Sequence, residues 1–169
     1  MRYGKIYFIG IGGIGMSAIA RFCKFKGLEV SGYDRTPSPL TAALEAEGIA
    51  VHHVDHPPRL PSDVGDTLVV STPAVPGERA YAREKGYRVI KRSRMLGELC
   101  EGETCLAVAG THGKTTTSTL VAHILTESGH GCSAFLGGIS KNYGTNMLVS
   151  ETRTVVAEAD EFDRSFLQL

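Results

Sequence analysis

The sequence predicts an α/β chain: a Rossmann-like parallel-sheet domain followed by the start of a P-loop α/β ATPase domain. Three observations carry this. Short apolar runs alternate with helical stretches along the chain. A glycine loop, Gly10-Ile11-Gly12-Gly13-Ile14-Gly15, separates the first apolar run from the first helical stretch. A second loop, Gly110-Thr111-His112-Gly113-Lys114-Thr115-Thr116, sits in the same strand-to-helix setting about a hundred residues later.

Taken in order, residues 5–9 are apolar and read as a strand. Residues 16–26 read as a helix with Ala18, Ile19 and Phe22 on one face, closed by Gly27. Residues 29–33 form a second strand ending at Asp34. Ser38-Pro39 is an N-cap followed by proline at the first helical position, so a helix spans residues 40–47 until Gly48 stops it. A short third strand fits residues 50–53, and Pro57, Pro58 and Pro61 make the next stretch irregular. Residues 67–70 are a clear strand ended by Ser71-Thr72-Pro73. A helix over 78–85, a strand over 87–90 and a helix over 94–100 complete the first unit. The polar break Glu101-Gly102-Glu103-Thr104 reads as a joint, dividing residues 1–100 from 101–169. Beyond it lie a strand to Ala109, the second loop, a helix over 114–128, a glycine-rich strand over 134–138 and a last strand over 154–157.

Composition narrows the function classes. With 169 residues, 42% of them hydrophobic, the chain can bury a real core. Eighteen basic residues balance eighteen acidic ones, so no net field favours nucleic acid or an anionic membrane. Cys23, Cys100, Cys105 and Cys132 show no CxxC spacing and read as reduced thiols. Met1-Arg2, Lys5 and the apolar residues after them outline a signal peptide, but four glycines within six positions break that helix. No apolar run is long enough to span a bilayer, and the expectation is a cytoplasmic protein without membrane insertion.

The chemistry lies in the loops. A strand turning through glycines into a helix aims backbone N–H groups at one spot, where the helix dipole also favours anions. In the second loop Lys114 adds a mobile charge for β/γ-phosphates and Thr115 a hydroxyl for Mg²⁺. Val108 replaces the glycine that a full Walker pattern would place five residues before Gly113. The half that holds phosphate is intact, so the loop reads as an ATP site. His112 fits either a phosphate contact or a prop for the turn.

The first loop, with Asp34 at the end of the next strand, fits the dinucleotide fingerprint. Gly10 allows the tight turn, Gly12 lets a pyrophosphate approach the backbone, and Gly15 lets helix and strand pack closely. Read alone this says NAD, with Asp34 on the ribose hydroxyls. UDP carries a diphosphate too, however, and the loop does not separate the two. Ser71, Thr72, Lys91 and Arg92 end neighbouring strands, where such sheets bind ligands. His52, His53, Asp55 and His56 could outline a metal site, but their proline-flanked loop favours solvated histidines. After the last strand come Glu158, Asp160 and Glu161. Glu158 leaves that strand first and is the candidate to hold Mg²⁺ beside Thr115. Asp160 and Glu161 fit either water orientation around the metal or a solvent-facing role.

These segments together resemble the Mur ligases. The resemblance rests on Gly10-Ile-Gly-Gly-Ile-Gly-Met16-Ser, Val30-Ser-Gly-Tyr-Asp34, Ala109-Gly-Thr-His-Gly-Lys-Thr-Thr-Thr117 and Glu158-Ala-Asp-Glu161, and spans nearly the whole chain. It also accounts for the shortened loop at Val108. It implies a three-domain, ATP-dependent amide-bond-forming ligase of peptidoglycan precursor synthesis, of which this chain would be the first domain and the opening of the second. The implied reaction joins L-alanine to UDP-N-acetylmuramate through an acyl phosphate. Under it Gly110, Thr111, His112, Gly113, Lys114, Thr115 and Thr116 would hold ATP, with Lys114 and Glu158 catalytic and Thr115 and Glu158 on Mg²⁺. Gly10, Gly12, Gly13, Ile14 and Gly15, with Asp34, Ser71, Thr72 and Arg92, would hold the UDP portion. Gly137, Gly138 and Asn146 would approach the muramoyl group. The same resemblance leaves a murein peptide recycling ligase as an alternative, and the first loop alone leaves an NAD-binding oxidoreductase or regulator. It places further ligand-binding residues beyond Leu169, so the 169 residues alone are expected not to ligate.

Overall fold

Short runs that are apolar without alternation suit strands covered on both faces, the situation inside a parallel sheet. The computed structural model describes residues 2–53, 59–72 and 75–159. It divides into two compact units, residues 1–92 and 93–169.

In the first unit β1 (Lys5–Ile9), β2 (Glu29–Tyr33), β3 (Ala50–His52), β4 (Thr67–Ser71) and β5 (Arg88–Lys91) form one sheet in the order β3-β2-β1-β4-β5. Every pairing is parallel. The central strand β1 is enclosed on both sides, and Ile6, Tyr7, Phe8 and Ile9 are all buried. Tyr7, Ile9, Tyr33, Val69, Ala82 and Tyr87 pack as one core cluster. The chain lays β2 and β3 outward on one flank of β1 and then returns to place β4 on the other. That reversal opens a crevice at the carboxyl ends of the strands.

The helices begin where the sequence marks them, with shifted edges. Helix α1 (Ile14–Phe25) starts two residues before the expected position, at the glycine loop itself. Helix α2 (Pro39–Ala46) has the predicted N-cap: Ser38 Oγ accepts from the Thr41 N–H, and Thr41 Oγ1 accepts from the Ser38 N–H. Helix α3 (Pro76–Glu84) also starts at a proline. Helix α4 (Arg92–Cys100) begins directly after β5, and from Ser93 onward it groups with the second unit. The polar break Glu101-Gly102-Glu103-Thr104 forms the turn from α4 into the next strand.

The second unit contains β6 (Thr104–Val108), α5 (Lys114–Glu127), β7 (Ser133–Phe135), β8 (Met147–Leu148) and β9 (Thr154–Glu158). Sheet order is β6-β9-β7-β8, with β8 antiparallel to β7 and the other pairs parallel. Ala122 of α5 packs with Cys132, Ala134, Leu136 and Val156. The strand expected over 134–138 stops at Phe135, and the Gly137 N–H donates to a carboxylate instead of a ladder. Strand β8 is only two residues long, too short to show a period. Among the described residues no helix is long and apolar enough to cross a membrane.

Candidate functional site

In the first unit Gly10 turns the chain with φ +86, and the N–H groups of Gly10 and Ile11 both donate to the Tyr33 carbonyl at 2.7 and 3.1 Å. This ties the loop to the end of β2. Gly13 is the N-cap of α1, which has no side-chain cap and no acidic residue in its first turn. The helix dipole therefore meets the loop without a negative charge in that turn.

Asp34 builds the loop. Its Oδ2 accepts from the Gly12 N–H at 2.8 Å and its Oδ1 from the Thr36 N–H at 3.1 Å. A Cβ at residue 12 would lie 2.7 Å from that Oδ2 and 2.9 Å from Thr41 Cγ2. Gly12 is thus required by the carboxylate, and its N–H is already engaged. Gly15 meets Arg92 rather than a strand: an added Cβ would come within 3.1 Å of Arg92 Nη1. Close strand packing falls instead to Gly32, where a Cβ would sit 2.7 Å from the Phe8 carbonyl oxygen and 2.8 Å from Ile11 Cδ1. A glycine inside a strand is the signal for such an approach. Replacing Asp34 by Ala is expected to lower stability by about 1–2 kcal/mol, because two loop amides lose their acceptor. Urea denaturation checks this, and an unchanged midpoint would contradict it.

A cavity of about 340 Å³ lies over these strand ends, lined by residues that include Gly10, Gly13, Asp34 and Thr72. Ser71 is enclosed in the sheet, and its Oγ has no hydrogen-bond partner among the described residues. His52 and His53 are tied to the protein rather than solvated. The His52 ring bonds the Tyr7 hydroxyl at 2.8 Å, and the His53 ring bonds the Asp34 carbonyl oxygen at 2.8 Å. Asp55 and His56 lie outside the described residues.

In the second unit Gly113 takes φ +76 and caps α5, again with no side-chain cap and no acid in the first turn. A cavity of about 280 Å³ is lined by Thr111, His112, Gly113, Lys114, Thr115 and Thr116. Lys114 Nζ folds back and donates to the Gly110 carbonyl at 2.8 Å. Register puts Val108, the last residue of β6, beside Glu158 in β9. Glu158 is the final strand residue, not the first after it. Its Oε1 accepts from Ser118 Oγ at 3.1 Å and from the Gly137 N–H at 2.8 Å. An added Cβ at Gly137 would lie 2.6 and 2.8 Å from the two Glu158 oxygens and 2.8 Å from Thr115 Oγ1. The hydroxyl and the carboxylate therefore converge on one small space, an oxygen donor set that suits Mg²⁺. Gly138 adjoins Thr115 Cγ2, whereas Asn146 is fully buried. Asp160 and Glu161 lie outside the described residues. The parts of this cradle missed in sequence are Ser118 and the role of Gly137, for which no spacing signal exists.

All four cysteines are free. Burial pushes the Cys23 thiol up to about 12. Hydrogen bonding with Cys100 lowers the Cys105 thiol to about 7, and the same contact and burial raise Cys100.

Together, a parallel sheet with a glycine loop at its switch point and a second glycine-lysine loop beside an acidic strand end define an α/β protein with two loops of a kind that suits phosphate. A family model described as the Mur ligase family, catalytic domain, matches residues 5–104, and the chain belongs to that family. It is 56% identical over 172 residues to a UDP-N-acetylmuramate–L-alanine ligase of Porphyromonas gingivalis W83, covering 98% of this chain and 38% of that protein. The ligase of the same name from Flavobacterium psychrophilum is 56% identical over 170 residues, with coverage of 98% and 38%. Among solved structures, the UDP-N-acetylmuramate–alanine ligase MurC of Thermotoga maritima matches with TM-score 0.79 at 31% identity, over 91% of this chain and 37% of that one. A UDP-N-acetylmuramate:L-alanyl-γ-D-glutamyl-meso-diaminopimelate ligase from Neisseria matches with TM-score 0.81 at 30% identity, over 96% and 54%. The chain spans well under half the length of the curated relatives it matches.

Proposed function

We propose that this chain is the uridylate-binding domain and the opening of the ATP-binding domain of a cytoplasmic ligase that joins L-alanine to UDP-N-acetylmuramate. The functional division we assign is 1–100 and 101–169, with α4 as the bridging helix. The observation that carries the reading is a pair of uncapped helix N-termini behind glycine loops, only the second of which adds a lysine and a hydroxyl–carboxylate cradle. Two polyanions of different kinds fit two such loops, and a dehydrogenase has no use for the second. The names of the 56%-identical relatives support the same reading.

In this proposal the first loop holds the UDP diphosphate, with Arg92 beside it, and the second holds ATP. Thr115 and Glu158 would hold Mg²⁺, which supplies charge neutralisation on the β- and γ-phosphates when bound. The muramoyl carboxylate oxygen attacks the γ-phosphorus and ADP leaves, giving an acyl phosphate. The L-alanine amine then attacks the carbonyl carbon, phosphate departs, and the nitrogen loses a proton. Activation is needed because a carboxylate oxygen is a poor leaving group. Lys114 stabilises charge on the transferred phosphoryl group.

The fold also resembles the Neisseria ligase that acts on a tripeptide. The 56% identity to the L-alanine ligases of Porphyromonas and Flavobacterium favours the single amino acid. By itself the 169-residue chain binds nucleotides without ligating, since the relatives carry more than half their length outside the matched part. Calorimetric titration with UDP-N-acetylmuramate and with NADH tests the reading. Binding of the uridine nucleotide and none of NADH is expected; tight NADH binding with no uridine-nucleotide binding would replace it with the oxidoreductase.

A further inference from the structure

The glycine loop accounts for a diphosphate but not for the nucleoside attached to it. The fingerprint residue for that task, Asp34, already accepts one hydrogen bond at each carboxylate oxygen from its own loop, from the Gly12 and Thr36 N–H groups. Another carboxylate lines the same cavity. Glu78 lies in the first turn of α3, and the cavity over the ends of β1, β2 and β4 is bounded by Tyr33, Arg35, Val75 and Glu78 as well as by the loop.

Glu78 is 6% exposed, a level of burial that carboxylates rarely reach without strong partners. Among the described residues its ion-pair partner is Arg35, at 3.7 Å, too long for a hydrogen bond. The Arg35 side chain is 82% exposed, so it neutralises Glu78 loosely. A buried acceptor with spare capacity thus lines a cavity that the glycine loop also lines. Phosphates cannot be what it receives, because like charges repel. The donors a nucleoside diphosphate offers beyond its phosphates are sugar hydroxyls and base N–H groups.

We propose that Glu78 is the specificity residue of the first site: its carboxylate accepts from the nucleoside of the bound uridine diphosphate, with the Arg35 guanidinium donating beside it. The imide edge of uracil presents one N–H between two carbonyl oxygens, which an acceptor flanked by a donor complements. Cytosine presents a bare ring nitrogen at the corresponding place, and a carboxylate repels that lone pair. This rests on the uridylate reading of the loop given above.

Titration calorimetry with UDP, CDP and inorganic pyrophosphate on the 169-residue chain separates the two levels. Wild type is expected to bind UDP at least tenfold more tightly than CDP. Glu78→Gln keeps size and shape, and should weaken UDP roughly tenfold while leaving pyrophosphate unchanged. Arg35→Met, at an exposed position that should not disturb folding, should weaken UDP by roughly threefold, again without touching pyrophosphate. If wild type binds UDP well and both variants bind it equally well, the inference is wrong while the site stands. Equal affinity of wild type for UDP and CDP would also overturn it. Failure of wild type to bind either UDP or pyrophosphate would remove the site and the inference with it.

Discussion

Replacing Lys114 by Ala in the full-length ligase is expected to cut turnover roughly a thousandfold while leaving the affinity for UDP-N-acetylmuramate within about twofold. The lysine sits at the first position of α5 and reaches back to the Gly110 carbonyl at 2.8 Å, so its charge is held over the loop. Phosphoryl transfer offers the protein little covalent work, and stabilising charge on the moving group is most of what remains. The alanine variant keeps the glycines and the helix N-terminus, so some nucleotide affinity persists while transition-state stabilisation goes. The two loops belong to different compact units, which is why the site proposed for uridylate should not register the change. Product formation and UDP-sugar affinity measured on the same preparation decide the matter. Parallel loss of both would mean the two loops have been given each other's ligands.

How much of this was readable from the sequence follows from what each feature depends on. The strands β1, β2 and β4 were legible because burial on both faces writes an apolar run into the chain. Both loops were legible because glycines at fixed offsets have a backbone reason, met at Gly10 and Gly113 by positive φ. The capping box of α2 was half written, since Ser38 and Pro39 announce it, whereas the return bond from Thr41 depends on local geometry. Hidden from sequence was everything that depends on register. Glu158 could be placed near the second loop, but only the pairing of β6 with β9 sets it beside Val108. Gly12 and Gly15 were visible as glycines, but the side chains that crowd them were not. The first makes room for the Asp34 carboxylate and the second for the Arg92 guanidinium, contacts over sequence separations that no local pattern encodes. Glu78 looks like an ordinary helix-start acid, because burial is a property of the fold and not of the helix.

Gly137 shows the same distinction and yields the second large effect. It shares one site with Gly113, yet the two glycines are needed for opposite reasons. Gly113 has φ +76 and nothing within 4 Å of an added Cβ, so alanine there costs backbone strain of about 1–2 kcal/mol and crowds nothing. Gly137 lacks positive φ, but its Cβ would fall between Thr115 Oγ1 and the Glu158 carboxylate, in the space assigned to Mg²⁺. The backbone tolerates alanine at 137; the site does not. To make room, Glu158 must give up its bonds to the Gly137 N–H and Ser118 Oγ, and the cradle opens. Gly137→Ala is therefore expected to remove most of the Mg²⁺ enhancement of ATP binding, roughly tenfold or more, with metal-free affinity nearly unchanged. Gly113→Ala should do the reverse, weakening nucleotide binding with and without the metal while preserving the ratio. Titrations of ATP in magnesium and in chelator, run on both variants, read the two ratios directly. A Gly137→Ala chain that keeps the wild-type ratio would place the metal away from Thr115 and Glu158.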